Sequence, residues 1–308
     1  MNFKGKYNSW ATQATLPFFM QTWWLDAVCG AENWLPVLAF DGKNEIEGAI
    51  IVYQKRKFGI KIVTQPILTP YSGIYLKKAS PAQKNYDTTQ KEVEILEKLI
   101  AQLPKCLFFL QHYHFSLPHH LPFHWAGFRQ TTRYTHILDL SDSFENIFQR
   151  ARHDTRKNYN KAMRNVEIST CEDAALAYPF IIMTANRHAK APYSLTAFEA
   201  VFAAAKKQNQ GEIYLAKDAE NVIHAAAFVV WDTTTCYFLA SGMDISKPSA
   251  AISGIIWQAI ADAKNRGTQF FDFDGSMLPN VENVPRGFGG ERKAYSRVVS
   301  FLVSLVGG

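Results

Sequence analysis

The sequence predicts an α/β protein made of two like units in tandem, each a mixed sheet with flanking helices. The first observation is an internal repeat: LAFDGKNEIEGA (38–49) and LAKDAENVIHAA (215–226) are identical at six of twelve aligned positions. Both alternate around an Asp- and Asn-containing turn, a pattern typical of a β-hairpin. The second observation is that the same order of elements follows each hairpin. The third is length, because 308 residues fit two domains.

The elements after each hairpin are a strand, a helix and a further strand. In the first unit these are KIVTQPIL, TTQKEVEILEKLIAQL and CLFFLQ, and in the second TCYFLASG, PSAAISGIIWQAIADAKNRG and TQFFDFD. A helical crossover joins parallel strands, so the two strands should lie side by side in parallel. Two more amphipathic helices, AALAYPFIIMTANRHA and SLTAFEAVFAAAKKQ, precede the second hairpin. We predict units at 1–140 and 141–308, the second including a basic linker helix.

Composition excludes several classes of protein. Apolar residues at 47% and charged residues at 19% are ordinary for a globular chain, and a net charge of +6 permits anionic partners. The four cysteines are widely scattered, which argues against a disulfide framework or a zinc site and favours a reducing compartment. No stretch has the length of a signal peptide core or a spanning helix. We therefore expect a cytoplasmic protein without a membrane span. The sequence has no coiled-coil repeat from which an oligomeric state could be predicted.

Two candidate binding segments lie where ligands bind in such units, at the carboxyl ends of parallel strands and the start of the crossover helix. Ser249 is a plausible N-cap that, with Lys247, would suit a phosphate or carboxylate; alternatively it only caps the helix. Asp272 and Asp274 end the strand QFFDFDGS and could accept a proton or bind an ammonium group. The alternative is a turn at Asp274 with Asp272 as a hydrogen-bonded support.

A glycine-rich segment, VPRGFGGERKAY, follows these carboxylates. Its glycines around Phe288 would let the backbone approach a ligand, and Arg286 would supply a positive charge. The segment HYHFSLPHHLPFHW holds five histidines, but their spacing follows no helix and includes no acid or thiolate. Metal binding there is conceivable, and we predict none.

The basic stretch RARHDTRKNYNKAMRN (150–165) is the densest cluster of charge. We expect Asp142 to cap a helix that carries this stretch, with Glu145 in the capping-box position. A solvated helix face usually interleaves acids, and only Asp154 lies within the run. The cations therefore either contact phosphates of tRNA or a nucleotide-linked acceptor, or form a plain solvated face.

These features together resemble the Fem-type branch of the GNAT acyltransferase superfamily. The resemblance rests on the double unit, the basic helix after ILDLSDSFENIF and the ending FDFDGSM…PRGFGGERKAY, and also on PFFMQTWWLDAV and PILTPYSGIYL. It implies an N-acyltransferase without a tightly bound cofactor. The implied donor is acyl-CoA or aminoacyl-tRNA, and the acceptor is an amine, such as that of a peptidoglycan precursor.

The sequence departs from the family pattern at three points. SKPSAAIS stands where ordinary GNAT enzymes have a glycine-rich pyrophosphate loop, and no helical-hairpin arm of the kind found in several cross-bridge enzymes is present. Pro285 and Arg286 stand where a lysine often precedes the closing Phe-Gly. These departures keep open the alternative of a non-catalytic RNA- or nucleotide-binding module that retains the fold.

The predicted site combines these residues by role. Asp272 or Asp274 would serve the amine and Arg286 the developing charge, and a catalytic cleft would show Asp272 and Arg286 facing one cavity. The remaining assignments are Tyr295 as hydrogen-bond donor, Lys247, Ser249, Arg152, Arg156 and Lys157 for donor phosphates, and Tyr71, Arg187 and Phe288 for the acceptor.

Overall fold

The computed structural model describes residues 2–77, 85–117, 120–188, 193–247, 249–275, 277 and 279–303. Its helices are α1 (Phe3–Ala11), a 3-10 helix (Phe18–Met20), α2 (Thr22–Cys29), α3 (Asn85–Ala101), α4 (Leu121–Trp125), α5 (Phe144–Arg150), α6 (His153–Asn165), α7 (Ala174–His188), α8 (Leu195–Lys207), α9 (Ala251–Asn265) and α10 (Pro279–Gly287). Its strands are β1 (Trp34–Phe40), β2 (Ile46–Lys57), β3 (Ile60–Val63), β4 (Ile74–Leu76), β5 (Cys106–Tyr113), β6 (Arg129–Asp139), β7 (Glu167–Cys171), β8 (Gly211–Lys217), β9 (Ile223–Trp231), β10 (Thr235–Met243), β11 (Phe270–Asp272) and β12 (Glu291–Val303). The predicted α/β class with mixed sheets is confirmed.

The chain divides into two compact units. Unit 1 comprises Met1–Arg133 and Ala294–Gly308, and unit 2 comprises Tyr134–Lys293. The chain therefore leaves unit 1 within β6 and returns to it within β12. The predicted limits, 1–140 and 141–308, refer to the two copies of the sequence repeat and remain a prediction.

Unit 1 contains a mixed sheet with α3 packed on one face. The strand order is β1-β2-β3-β5-β12, with β4 beside β2. The pair β3–β5 is parallel, as a helical crossover requires, and β1–β2, β2–β3 and β5–β12 are antiparallel. The helix approaches β2 closely at Gly48, where an added Cβ would lie 2.3 Å from Ile95 Cγ2. Leu96 and Phe109 are among the fully buried side chains of this core.

Unit 2 contains a second mixed sheet covered on both faces. The order is β6-β11-β10-β9-β8-β7, in which β10–β11 is parallel and β6–β11, β7–β8, β8–β9 and β9–β10 are antiparallel. Trp257 of α9 packs at the centre of one core. On the opposite face, Phe228 of β9 makes edge contacts with Phe198 and Phe202 of α8. Close approach of α7 requires Gly242, where a Cβ would lie 1.8 Å from the Phe180 carbonyl oxygen.

The two repeated hairpins have the same turn. Asp41 Oδ1 accepts hydrogen bonds from the N–H groups of Lys43 and Glu45, as Asp218 Oδ1 does from those of Glu220 and Val222. The aligned asparagines, Asn44 and Asn221, have positive φ values of 63° and 62°. Asparagine tolerates this left-handed conformation better than most residues, so the repeated Asp and Asn follow from turn geometry.

The predicted start of the basic helix is wrong in two respects. Ser143, not Asp142, caps α5, because its side chain accepts from Asn146 N–H at 3.1 Å. The helix also breaks: Ala151 and Arg152 are extended, with ψ values of 152° and 143°, and Arg152 begins α6 as its N-cap residue. Asp142 instead binds Arg150, Nη1 to Oδ2 at 2.5 Å. Because of this break, the basic residues from Arg156 to Arg164 lie on a separate helix, α6.

Candidate functional site

Strand β10 continues past the end of its parallel neighbour, β11. Residues 235–237 of β10 pair with residues 270–272, where β11 ends, whereas β10 continues to Met243. In the part of the chain that the structure describes, no pair joins the two strands beyond Tyr237. A shift in the β9–β10 register between Phe238 and Ala240 marks a bulge just past this point. Bulges leave backbone groups unpaired and re-aim side chains, so the part of β10 beyond β11 can offer backbone donors and acceptors to a ligand. The region beside this part of β10, past the end of β11, is called the opening between β10 and β11 below.

The helix between these strands, α9, begins beside the opening. Its N-cap is Ala250, with φ at 58° and no side-chain cap, so the prediction that Ser249 caps the helix is wrong. Ser249 is 4% exposed, and its Oγ has no hydrogen-bond partner among the described residues. A buried hydroxyl without a partner is unfavourable unless something else satisfies it. The first N–H groups of a helix also attract anions, so the start of α9 can bind a phosphate or carboxylate.

Lys247 lies on the loop that leads to Ser249. Its backbone N–H donates to the Asp244 carbonyl at 3.2 Å, and its own carbonyl accepts from Ser249 N–H at 2.9 Å. The pKa of Asp244 is lowered, chiefly by hydrogen bonds from Ser246 and further by the charge of Lys247. Short-range hydrogen bonds therefore hold the loop, which carries one cation, Lys247, two residues before Ser249.

Asp272 is fully buried at the end of β11 and holds the following loop. Its Oδ1 accepts from Thr135 Oγ1 at 2.5 Å and from Asp274 N–H at 2.9 Å. Thr135 Oγ1 in turn accepts from Gly275 N–H at 3.0 Å. Asp274 adopts the left-handed region, with φ at 47°. The two predicted carboxylates are thus brought together, with Asp272 as the support of the turn that carries Asp274.

A histidine that the sequence analysis did not select lies at the same end of β11. The backbone carbonyl of His136, on β6, accepts from Phe273 N–H at 3.1 Å. The His136 side chain is 2% exposed, and its Nε2 lies 3.3 Å from Glu282 Oε1. Burial lowers the pKa of His136, while the charge of Glu282 opposes this shift. A neutral ring protonated on Nε2 donates to Glu282, which leaves the buried Nδ1 as an acceptor without a partner among the described residues.

Glu282 also connects this histidine to Arg286. Its Oε2 lies 3.8 Å from Arg286 Nη2, one helical turn further along α10. The Arg286 side chain is 63% exposed and donates to Asn283 Oδ1 at 2.9 Å. Arg152 donates to the same oxygen at 3.3 Å, and its backbone N–H donates to the Gly287 carbonyl. The predicted residues Arg152 and Arg286 therefore lie close together, because both donate to the side-chain oxygen of Asn283.

Asp272 and Arg286 do not face one cavity. Ile137 lies directly opposite Asp272 in the β6–β11 pair, so these two side chains share a face of the sheet. His136 is the next residue along β6, and its side chain therefore lies on the other face, where it meets Glu282. The opening between β10 and β11 thus has Asp272 on one face and His136, Glu282 and Arg286 on the other.

The exposed face of α6 is basic. An open space of about 760 Å³ lies among the side chains of this one helix, those of His153, Asp154, Arg156, Lys157, Asn158, Asn160, Lys161, Arg164 and Asn165. Arg156 is already engaged, because its Nη1 donates to the carbonyls of Gln149 and Ala151 at 2.5 and 2.7 Å and so closes the end of α5. Lys157, Lys161 and Arg164 are exposed and can contact anions.

The predicted acceptor residues lie in different surroundings. Phe288 is 2% exposed and packs on Trp257 and Phe273 at ring distances of 5.0 and 5.7 Å, which favours a role in the core. Arg187 is in α7, but its side chain falls outside the described residues. Tyr71 belongs to unit 1, where its ring meets that of Tyr295 edge-on at 5.0 Å.

Tyr295 lies in a polar aromatic cluster of unit 1. Its hydroxyl accepts from Arg133 Nε at 3.1 Å, and the His112 ring lies 5.9 Å away. Burial lowers the pKa of His112 and of His114 to about 4, with Arg133 and Arg297 adding to the shift of His112. Within the described ranges no group of three metal-binding side chains occurs, and His119 falls outside them. Of the helices described, none combines the length and apolar character needed to cross a membrane.

Comparisons with known proteins agree with this geometry. Residues 149–279 match the family model described as an acetyltransferase (GNAT) domain, and no curated protein matches the sequence. The structure of FemX shares the fold with a TM-score of 0.64 and 10% identity, over 95% of each chain. The C-terminal domain of a putative lysylphosphatidylglycerol synthetase from Agrobacterium fabrum matches with a TM-score of 0.54 and 9% sequence identity, over 96% of this chain and 90% of that chain.

A tandem GNAT protein from the clavulanic acid biosynthesis pathway gives a TM-score of 0.51 and 9% identity, over 97% of this chain and 96% of that chain. The predicted resemblance to the Fem-type branch of the GNAT superfamily is confirmed, as is the tandem α/β fold. The family model over residues 149–279 supports acyl transfer as the general class of reaction.

Proposed function

We propose that this chain, a Fem-like protein with a GNAT domain, is an N-acyltransferase that moves an acyl or aminoacyl group from an activated donor to an amine. The donor would be an acyl-CoA or an aminoacyl-tRNA, and an amine of a cell-wall precursor is the acceptor we favour. The observation that carries this proposal is the end of β11 beside the longer β10, together with the buried Ser249 hydroxyl before α9, which has no hydrogen-bond partner among the described residues.

The donor would bind with its phosphates at the start of α9. The N–H groups at the very start of α9 and Ser249 Oγ would supply hydrogen-bond donors, and Lys247 would supply charge. The acyl group would then enter the opening between the strands, where backbone groups past the bulge in β10 can polarise its carbonyl.

The chemical step needs a proton acceptor. The neutral amine attacks the acyl carbon, the carbonyl electrons move to oxygen, and their return expels the donor's thiolate or ribose oxygen. The leaving group takes the second proton that the nitrogen loses as the amide forms. Glu282 is the proposed acceptor of the ammonium proton, because it is partly exposed and held by His136 at 3.3 Å. Arg286 would stabilise negative charge on the same side of the sheet. Asp272 and Asp274 would act on the amine only indirectly, because Asp272 holds the turn that carries Asp274 at the end of β11.

The remaining predicted residues fit accessory roles in this proposal. The basic face of α6 would hold further phosphates, as an aminoacyl-tRNA or a nucleotide-linked acceptor would bring, with Lys157 contacting them and Arg152 and Arg156 holding the helix start. Tyr71 and Arg187 remain proposed contacts of the acceptor, and Tyr295 remains a proposed hydrogen-bond donor. Phe288 would act only by supporting the core beneath α9 and α10.

The alternative function is a binding module for RNA or a nucleotide that lacks catalysis. The observation that favours it is the exposed, basic face of α6. Mass spectrometry of amine-bearing acceptors, incubated with the protein and with pooled acyl-CoAs or charged tRNAs, separates the two functions. An acylated acceptor that requires the protein supports the transferase. Tight RNA or nucleotide binding without any acylated product contradicts it and supports the module.

A further inference from the structure

The hairpin between β2 and β3 ends in an exposed aromatic side chain. Phe58 and Gly59 join the strands as a two-residue loop with φ values of 51° and 77°, the signs of a type I′ turn. Glycine and asparagine suit such positions, whereas a bulky side chain is disfavoured there. The Phe58 side chain is nevertheless 92% exposed. Most of the Phe58 surface therefore faces solvent.

An apolar stripe continues from the tip along one face of the unit 1 sheet. Ile62 lies opposite Phe108 in the β3–β5 pair, and Phe108 lies opposite Phe301 in the β5–β12 pair. Directly opposed residues share a face, and Ile60 is two residues before Ile62 on the same face. Ile60 is 45% exposed and Phe301 is 69% exposed. The stripe and Phe58 thus present apolar groups to solvent at one end of the sheet.

The hairpin is also strongly basic. Lys55, Arg56, Lys57 and Lys61 flank Phe58, and the sequence contains no Asp or Glu from residue 48 to residue 86. Lys55, Arg56 and Lys61 are at least partly exposed. A surface of this kind repels a second copy of itself, because two cationic tips would have to meet, and attracts an extended anionic surface.

We propose that the tip surface, formed by Lys55, Arg56, Phe58, Ile60 and Lys61, docks this protein on an anionic lipid bilayer. Phe58 and Ile60 enter the boundary between headgroups and acyl chains, and the cations contact the anionic headgroups. The aliphatic Ile60 and Ile62 beside the ring favour a lipid over RNA, because bases stack on flat rings and not on branched aliphatic side chains. Phe301 extends the apolar contact along the sheet face.

The test is co-sedimentation of the full chain with vesicles of phosphatidylcholine mixed with phosphatidylserine, and with pure phosphatidylcholine vesicles. Binding should require phosphatidylserine and weaken with salt. Lys55→Gln and Lys61→Gln should each weaken the apparent affinity roughly fivefold. Phe58→Asn should weaken it about tenfold or more, because the apolar insertion is lost. Asparagine suits a positive φ, so this variant keeps the fold, which its melting temperature checks.

Two variants serve as matched controls. Lys43→Gln removes an exposed cation at the other end of β2, and Tyr86→Ser removes an aromatic side chain that is 75% exposed on α3. Neither should change vesicle binding. The proposal is overturned if wild type ignores the charged vesicles or if Phe58→Asn binds them equally well. It is also overturned if the protein does not bind vesicles but binds oligouridine RNA or dimerises in sedimentation velocity, and Phe58→Asn abolishes that binding or dimerisation.

Discussion

Replacing Ser249 with alanine separates a donor contact from a simple helix cap. Its hydroxyl is 4% exposed and has no hydrogen-bond partner among the described residues, and the backbone N–H of Ser249 bonds to Lys247 independently of the side chain. Removing an unsatisfied buried hydroxyl should leave the free energy of unfolding unchanged or raise it by about 1 kcal/mol. If the hydroxyl donates to a donor phosphate, its loss costs about 1.5–3 kcal/mol of binding.

That loss corresponds to a KM for the donor raised roughly tenfold to 150-fold. The assay is steady-state transfer at varied donor concentration, together with thermal unfolding of the same preparations. Ser194→Ala is the matched control, because Ser194 Oγ does cap α8 by accepting from Ala197 N–H at 3.2 Å. This control should lose about 1 kcal/mol of stability and keep its KM. If Ser249→Ala behaves like Ser194→Ala, losing stability with an unchanged KM, the donor assignment is refuted.

Four further predictions follow from the same contacts. Glu282→Gln should lower kcat by roughly 10²–10⁴ with the donor KM unchanged, and activity within a few-fold of wild type would exclude Glu282 as the base. Arg286→Ala should lower kcat by about 10²–10³ with little change in melting temperature, because its side chain is 63% exposed; a sharp drop in melting temperature with full activity would make it structural. The double variant Lys157→Gln with Lys161→Gln should flatten the plot of log affinity for tRNA against log salt by about 1.4–1.8, and an identical slope would mean a solvated face. The pKa of His114 is about 6.5 in the unfolded chain and about 4 in the folded protein, because burial disfavours the charged ring. The free energy of unfolding should therefore be greatest above pH 6.5 and fall by up to about 3 kcal/mol as the pH drops from 6.5 to 4. His114→Gln should remove this part of the pH dependence in urea titrations.

The repeated hairpins were predictable from sequence because their turns are local. Asp41 and Asp218 bond backbone groups only two and four residues away, so identical letters give identical turns. The helix–strand order around α3 and α9 was predictable for a similar reason, since a parallel crossover leaves few topologies. Superposition of 35–113 on 212–275 remains a prediction that follows from this repeat.

The helix starts were not predictable, because a cap depends on backbone conformation as well as residue type. Ser249 has a capping side chain, but the left-handed Ala250 follows it and takes the N-cap position. Asp142 and Ser143 are both good caps by type, and the structure uses the second. The break between α5 and α6 likewise has no proline or glycine to signal it.

The pair His136–Glu282 was missed because its members are distant in sequence. Each carries only a weak local signal: a histidine inside the apolar strand RYTHILD, and an acid one turn before Arg286 in a helix. His136 lies on β6 and Glu282 on α10, so only the tertiary fold brings the two side chains together. The expectation that Asp272 and Arg286 share a cavity failed because the β6–β11 register places Asp272 and His136 on opposite faces, and register is set by the whole sheet.

The most direct test of the central claim is a crystal structure with the donor that the mass-spectrometry screen identifies, used as a non-reactive analogue. The account predicts a phosphate group against the first N–H groups of α9 and within hydrogen-bond distance of Ser249 Oγ. It also predicts the acyl carbon in the opening between β10 and β11, on the side of His136 and Glu282. Donor density located elsewhere, with the start of α9 empty and Ser249 Oγ still without a partner, would contradict it.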